Sequence, residues 1–213
     1  MASEQPLPPQ VYVLDDDPML LAVMERLLAR AGYRVAAFRS PSTFLEEAPL
    51  TPPCCLLLDV QLPEMTGVEI QDKLARSPSP PSIVFVSGAS DVPTSVRAMK
   101  AGAIDFLQKP FENADLLRAI ALALQHAESR LAQDADAAKA RAKLAKLTPR
   151  ERQVCDGVVR GLRSKEIADE LGAAVKTINV HRSRVMAKLG VTTVASLVRL
   201  MALAGTDSWR REG

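Results

Sequence analysis

Polar residues stand at the ends of four apolar segments in the first half of the chain. Uninterrupted apolar segments are typical of strands buried on both faces of a parallel sheet. The carboxyl edge of such a sheet is where open α/β proteins place their chemistry. The polar residues are Asp15 and Asp16 after residues 11–14, Asp59 after 54–58, Ser87 after 82–86 and Lys109 after 105–108.

These residue types together suit the transfer of a phosphoryl group. Three carboxylates in one crevice, from Asp15, Asp16 and Asp59, repel one another unless a cation lies between them. An all-oxygen ligand set suits Mg²⁺, which keeps several waters and binds phosphate. Asp59 is then the candidate nucleophile toward phosphorus, while the Lys109 ammonium and the Ser87 hydroxyl would stabilise the phosphoryl oxygens. The alternative is a solvated acidic rim in which the lysine forms a salt bridge.

The elements that must position these residues alternate regularly along the chain. Apolar runs and Pro or Gly breaks predict five strands and five helices over residues 1–124, which makes a doubly wound, flavodoxin-like α/β domain. A parallel sheet of order 2-1-3-4-5 would bring the first and third strands together, and with them the three aspartates. The predicted strands are 11–14, 33–38, 54–58, 82–87 and 105–108.

Charge divides the chain into segments of different character. The whole chain has 213 residues and a net charge of +2. Residues 1–124 carry −5, residues 125–146 carry +2 and residues 147–213 carry +5. The middle segment is rich in Ala, Lys and Arg and contains neither Gly nor Pro, so it is predicted to be a helical linker. An acidic module followed by a basic one indicates two domains with different partners.

Nothing in the sequence predicts secretion or a membrane span. There is no apolar N-terminal signal and no run close to 18 apolar residues. Cys54, Cys55 and Cys155 lack metal-type spacing and are expected to be small apolar residues in a reducing compartment. The expected location is the cytoplasm, with no membrane partner.

The basic module, residues 147–213, is predicted to contain only helices. Thr148 and Glu151 have the spacing of a capping box, with Pro149 at the first helical position. Helices joined by short Gly-containing turns predict a helix-turn-helix arrangement. The predicted helices are 149–161, 164–171, 175–189 and 193–204.

The helix 175–189 has an outer face suited to nucleic acid. At 100° per residue, an apolar stripe through Ile178 faces the core, and a polar, basic face with an exposed valine lies opposite. Asn pairs well with adenine, Val can touch a thymine methyl, and basic side chains reach phosphates. The alternative is a merely solvated charged face. The candidate DNA contacts are Lys176, Thr177, Asn179, Val180, Arg182, Ser183, Arg184 and Lys188; Arg182 also falls inward and could pair with a buried glutamate such as Glu166.

Residues 10–124 resemble the receiver domain of two-component response regulators. The resemblance implies that Asp59 accepts a phosphoryl group from a sensor histidine kinase. It also implies that Asp16, Asp59 and the Gln61 main-chain carbonyl bind Mg²⁺, with Asp15 acting mainly through water. Ser87 and Phe106 would form a switch, and Gln61 and Ala89 would flank the attacking water. The matching residues are Asp15-Asp16, Asp59 with Pro63 and Gly67, Ser87-Gly88, the run from Ala98 to Ala103, Asp105-Phe106 and Lys109-Pro110-Phe111.

Residues 147–204 resemble the DNA-binding domain of the NarL/LuxR class, so that the whole chain looks like a FixJ-type response regulator. Three positions depart from the pattern: Ala173-Ala174-Val175 removes the usual Ser cap of the recognition helix, Asn179 replaces a common Glu or Lys, and Arg163-Ser164 replaces Ser-Asn. The matching residues are the run from Leu147 to Glu151, Lys165-Glu166-Ile167-Ala168, Lys176-Thr177-Ile178, Val180-His181-Arg182 and the run from Val185 to Leu189.

The sequence therefore predicts a transcription factor that is activated by phosphorylation. The protein is not expected to be an enzyme that acts on other substrates. Phosphorylated, it is expected to dimerise, to bind double-stranded promoter DNA and to act with RNA polymerase. One alternative keeps DNA binding but makes the receiver a dimerisation domain that is not phosphorylated. The other is an Asp-nucleophile phosphatase, although Gln61 stands where such enzymes usually have a second aspartate.

Overall fold

A computed structural model describes residues 8–88 and 92–205 of the chain. The chain divides into two compact units, Met1–Leu131 and Ala132–Gly213. The first unit contains the candidate acidic site, and the second contains the candidate DNA-contacting helix.

The first unit is built on a five-stranded, wholly parallel sheet. Its strand order is β2-β1-β3-β4-β5, which confirms the predicted doubly wound fold. Strands β1 and β3 are neighbours, so the carboxyl ends that carry the aspartates adjoin. The strands are β1 (Gln10–Leu14), β2 (Arg34–Phe38), β3 (Cys54–Asp59), β4 (Ser82–Ser87) and β5 (Asp105–Gln108).

The sheet is covered on both faces, as the continuous apolar runs predict. Every residue of β3 is buried. Along β3, Cys55 and Leu57 pack into the core on one face, whereas Cys54, Leu56 and Leu58 pack into the core on the other. All three cysteines are free and buried, so they act as small apolar residues.

Three helices of the first unit begin at a residue whose side chain caps the first turn. Asp17 caps the first helix through its carboxylate, Ser40 caps the second, and Thr66 with Glu69 forms a capping box on the third. The fifth helix continues past Leu131, the end of the first unit, to Leu144, two residues short of the end of the predicted linker. The helices are α1 (Pro18–Arg30), α2 (Pro41–Glu47), α3 (Gly67–Leu74), α4 (Val92–Lys100) and α5 (Asn113–Leu144).

The second unit is helical, as predicted. The capping box of Thr148 and Glu151 is present at its first complete helix. Gly172 ends the next helix with φ +59°, a left-handed conformation that favours glycine and produces the sharp turn of a helix-turn-helix. The helices are α6 (Pro149–Val159), α7 (Ser164–Leu171), α8 (Val175–Leu189) and α9 (Val194–Ala204).

Among the described residues, no single helix has the length and apolar character needed to cross a membrane. The bent pair α8 and α9, at 58° to each other, meets those criteria of length and composition when taken together.

Candidate functional site

The structure brings three of the predicted carboxylates into one cluster. One oxygen from each of Asp15, Asp16 and Asp59 lies within 4.8 Å of the others. Asp15 and Asp59 are buried, at 3% and 8% exposure, whereas Asp16 is exposed. Two carboxylates of the cluster are therefore buried, and the third is open to solvent.

Lys109, which follows β5, bridges the two buried carboxylates. Its Nζ donates to Asp15 Oδ2 at 2.7 Å and to Asp59 Oδ2 at 2.8 Å. Burial alone would lower the pKa of the Lys109 ammonium, but the hydrogen bonds to both carboxylates outweigh burial and raise it. Burial also raises the pKa of the Asp15 carboxyl, against the lowering effect of Lys109. Lys109 therefore stays charged and holds Asp15 and Asp59 together.

Main-chain contacts hold Asp59 in place. Its second oxygen, Oδ1, accepts a hydrogen bond from the Gln61 N–H at 2.9 Å. The N–H of Gly67, at the start of α3, donates to the Val60 carbonyl at 2.9 Å. A Cβ atom on Gly67 would lie 2.4 Å from the Asp59 main-chain oxygen, so this close approach requires glycine.

The donor set fits a hard divalent cation. Carboxylate oxygens from three residues are the ligands that Mg²⁺ prefers, and the exposed Asp16 arm leaves room for the waters that Mg²⁺ retains. The fit comes from the chemistry of the three side chains and from their mutual distances.

A cavity of about 230 Å³ adjoins this edge of the sheet. Ser87 is buried at 2% exposure, and its main-chain carbonyl accepts a hydrogen bond from the Lys109 N–H at 2.7 Å. Phe106 is half-buried, with its ring centroid 6.2 Å from that of Phe85. The two predicted switch residues thus line one space; its other lining residues are Val60, Gln61, Thr66, Val68, Thr94 and Arg97. Ala89 lies outside the described residues.

Helix α8 presents the outer face that its periodicity predicts. Ile178, Val185 and Leu189 are buried, at 0%, 2% and 0% exposure, and form the inner stripe. Arg182 is half-buried and lines a second cavity, of about 220 Å³, against side chains of α6 and α9. The exposed residues of the outer face are Lys176, Thr177, Asn179, Val180, Ser183 and Arg184, and Val180 is 44% exposed.

The expected pairing of Arg182 with a buried Glu166 is wrong. Glu166 is exposed, and its Oε2 accepts a hydrogen bond from the Arg163 N–H at 2.6 Å, because it occupies the N3 position of α7. Among the described residues of this unit, the buried glutamate is Glu151, and the Lys188 ammonium contacts it.

The contact between Glu151 and Lys188 is not predicted from the sequence. Lys188 Nζ donates to Glu151 Oε2 at 2.7 Å. The Lys188 hydrogen bond, followed by that of the Thr148 N–H, lowers the pKa of the Glu151 carboxyl to about 2. The capping-box spacing marks Glu151 as an N3 residue, but no local signal shows that its other partner lies 37 positions away.

Two family models match the chain, one on each unit. The response regulator receiver domain matches residues 11–121. The luxR family of bacterial regulatory proteins matches residues 145–201. Together they extend over the α/β unit and the helix-turn-helix.

Relatives match the two domains as one continuous chain. The response regulator protein TmoT of Ectopseudomonas mendocina is 40% identical over 89% of this chain and 86% of its own. The transcriptional regulatory protein FixJ of Bradyrhizobium diazoefficiens is 39% identical over 92% of this chain and 95% of its own. The solved structure of the response regulator StyR matches with a TM-score of 0.76 and 43% identity, over 92% of this chain and 98% of that one. Full-length FixJ from B. japonicum matches with a TM-score of 0.57 and 38% identity, over 93% and 98%. The chain therefore belongs to the two-component response regulators, as a FixJ-like member in which a receiver domain precedes a LuxR-type DNA-binding domain.

Proposed function

We propose that this DNA-binding transcriptional regulator is activated when Asp59 accepts a phosphoryl group from a sensor histidine kinase. The observation that carries the proposal is the bridge from Lys109 Nζ to Asp15 and Asp59 at the carboxyl edge of the sheet. A carboxylate oxygen of Asp59 attacks phosphorus, the bond from phosphorus to the donor nitrogen breaks, and the imidazole keeps the electron pair. The protein acts on its own aspartate and not on a pool of small substrates.

The side chains around Asp59 have distinct roles in this transfer. The Lys109 ammonium stabilises negative charge on the phosphoryl oxygens, and the Ser87 hydroxyl donates a hydrogen bond to one of them. Asp16, Asp59 and the Gln61 main-chain carbonyl would hold Mg²⁺, with Asp15 acting through water, and the ion would supply further positive charge at the phosphoryl oxygens. The buried setting of Asp59 strengthens each of these electrostatic contacts.

Phosphorylation would change the packing around the cavity that Ser87 and Phe106 line. Ser87 moves toward the phosphoryl group, and the half-buried Phe106 turns into the space that this movement opens. Helix α4 contributes to the same cavity, and it exposes Val92, Val96 and Met99 at 67%, 45% and 45%. This exposed apolar face of α4 is the proposed dimerisation surface of the phosphorylated receiver.

DNA recognition is assigned to the outer face of α8. Asn179 and Val180, both exposed, are the proposed base contacts in the major groove. Lys176 and Arg184 are the proposed phosphate contacts, with the half-buried Arg182 at the edge of the face as a further one. Thr177 and Ser183 lie among them with exposed hydroxyls.

The same proposal places the protein in the cytoplasm, where kinase, promoter DNA and RNA polymerase are its partners. Residues 1–124 form the receiver, 125–146 the linker and 147–213 the DNA-binding domain. Dimerisation of the phosphorylated form would let two α8 helices bind two half-sites of one operator.

Intact mass of the full chain, after incubation with Mg²⁺ and acetyl phosphate, tests this function. The wild type should gain one phosphoryl group and Asp59→Asn none. Asp72 is an exposed carboxylate on α3, so the control variant Asp72→Asn should gain one phosphoryl group as the wild type does. Promoter binding should then tighten in the phosphorylated wild type and in phosphorylated Asp72→Asn, but not in Asp59→Asn. A wild type that gains nothing from acetyl phosphate or from a phosphorylated kinase domain, yet dimerises and binds DNA, would establish the unphosphorylated dimerising receiver instead.

A further inference from the structure

Glu151, in the first turn of α6, is a buried carboxylate. It is 3% exposed, and its Oε2 accepts hydrogen bonds from the Thr148 N–H at 2.8 Å and the Thr148 hydroxyl at 3.0 Å. The same oxygen accepts a third hydrogen bond, from Lys188 Nζ at 2.7 Å. A buried carboxylate is costly unless it is paired, so the lysine and the two cap donors together make this charge tolerable.

Lys188 lies in the last turn of α8 and reaches inward. Its side chain is 39% exposed, whereas the next residue, Leu189, is fully buried. The hydrogen bond to Glu151 ties the C-terminal end of α8 to the N-terminal turn of α6. Its ammonium is thus engaged by a buried anion, although the helical wheel alone places it among the basic side chains of the outer flank.

The hydrogen bond between Lys188 and Glu151 can restrict the rotation of α8 about its own axis. The apolar stripe through Ile178, Val185 and Leu189 decides which side of the helix faces the core, but apolar contacts are not directional. A charge-assisted hydrogen bond at a single point is directional and short. Because a hydrogen bond to a base edge is directional, a small rotation of α8 would misalign Asn179 with its base and move Val180 away from a thymine methyl.

We propose that Lys188 is a positioning residue for DNA recognition, which acts through Glu151 and does not contact DNA phosphates. The proposal rests on the proposed role of α8 as the DNA-contacting helix. The proposal divides three basic residues of α8 between two roles. Lys176 and Arg184 contact the phosphate backbone, and Lys188 fixes the rotation of the helix about its axis.

The experiment compares two duplexes with the full-length protein. One duplex is selected by the wild type from a random-sequence pool, and the other is an unselected duplex of the same length. Affinities are measured over a range of salt concentrations, at a temperature where circular dichroism shows each variant folded. The variants are Lys188→Met, Glu151→Gln and, as the phosphate-contact control, Lys176→Met.

A positioning role predicts a loss of specificity without a loss of charge contacts. Lys188→Met should lower the ratio of selected to unselected affinity by about ten-fold, the effect of one poorly matched base contact. Its slope of log affinity against log salt should equal that of the wild type, whereas Lys176→Met should reduce that slope by about one. Glu151→Gln, which retains Lys188 but removes its anion, should lower the specificity ratio as Lys188→Met does.

Two results would overturn the proposal. A slope reduced by about one in Lys188→Met, together with unchanged or tighter binding in Glu151→Gln, would make Lys188 a direct phosphate contact. Unchanged specificity and slope in both folded variants would make the pair a stabilising contact only. An unchanged slope in Lys176→Met would instead refute the role of α8 itself. If Lys188→Met does not fold, Glu151→Gln alone still tests the proposal, because unchanged specificity in that variant contradicts a positioning role.

Discussion

Gly67 lies against the main chain of Asp59. A Cβ atom on Gly67 would be 2.4 Å from the Asp59 main-chain oxygen and 2.9 Å from Phe85 Cε1. The first of these neighbours is backbone and the second belongs to a fully buried ring, so neither can move away freely. The start of α3 and the end of β3 are therefore packed as closely as glycine allows, directly behind the proposed phosphoryl acceptor.

Gly67→Ala should destabilise the receiver by about 1–3 kcal/mol, the usual cost of forcing an extra carbon into a packed site. The shift of β3 should also displace the Asp59 carboxylate from Lys109, so that phosphoryl uptake from acetyl phosphate becomes slower. Thermal unfolding and time-resolved intact mass measure the two effects. Gly88→Ala is the matched control for stability, since a Cβ atom there meets none of the described residues within 4 Å; equal stability in both variants would contradict the packing argument.

The receiver could be predicted closely because its signals are local. The five strands and the position of Asp59 at the end of β3 follow from apolar runs that end in polar residues, and β4 and β5 have the predicted bounds. Ser40 and Asp17 begin their helices by contacts within three residues. Such features depend on neighbours in sequence, which periodicity and turn residues report directly.

The contacts that the sequence does not predict are those between helices far apart in the chain. The wheel of α8 correctly separates the buried Ile178 from the exposed Asn179, but it contains no information about α6. The wheel therefore places Lys188 among the basic side chains of the DNA face, and it leads to the wrong prediction that Glu166 is the buried partner of Arg182. Which glutamate is buried depends on how the helices pack, and a single helical wheel does not report packing.

The N-terminus of α8 lacks a side-chain cap, as the sequence predicts. Ala174 occupies the N-cap position with extended backbone, and no side chain accepts from the first turn there. Ala174→Ser should stabilise the DNA-binding domain by about 1 kcal/mol, because the hydroxyl can accept a hydrogen bond from a free N–H of that turn. For a domain of this size the melting temperature should rise by about 4–8 °C.

Calorimetry of the full chain without DNA measures this rise in the transition of the DNA-binding domain. Ala174→Val is the control, because it adds bulk at the same position but offers no oxygen acceptor. An equal rise in both variants would assign the gain to the side chain's volume and not to capping.

Acid should weaken the DNA-binding domain through Glu151. Its hydrogen bond from Lys188 holds the folded-state pKa at about 2, below the ordinary value of 4.5. A depressed carboxyl pKa contributes stability that is fully present above the unfolded-state pKa and is lost as pH falls through the folded-state pKa. The contribution of Glu151 is therefore expected to decline between about pH 4.5 and pH 2.

Glu151→Gln isolates this contribution, because the amide has nearly the same shape and never carries the charge. The difference in melting temperature between wild type and Glu151→Gln should be largest at neutral pH and should shrink toward pH 2, where the wild-type side chain also becomes neutral. Lys188→Met should show the same pH-dependent difference, since it removes the other half of the pair. A difference that stays constant from neutral pH to pH 2 would mean that the glutamate stabilises α6 as a neutral cap, without help from the lysine's charge.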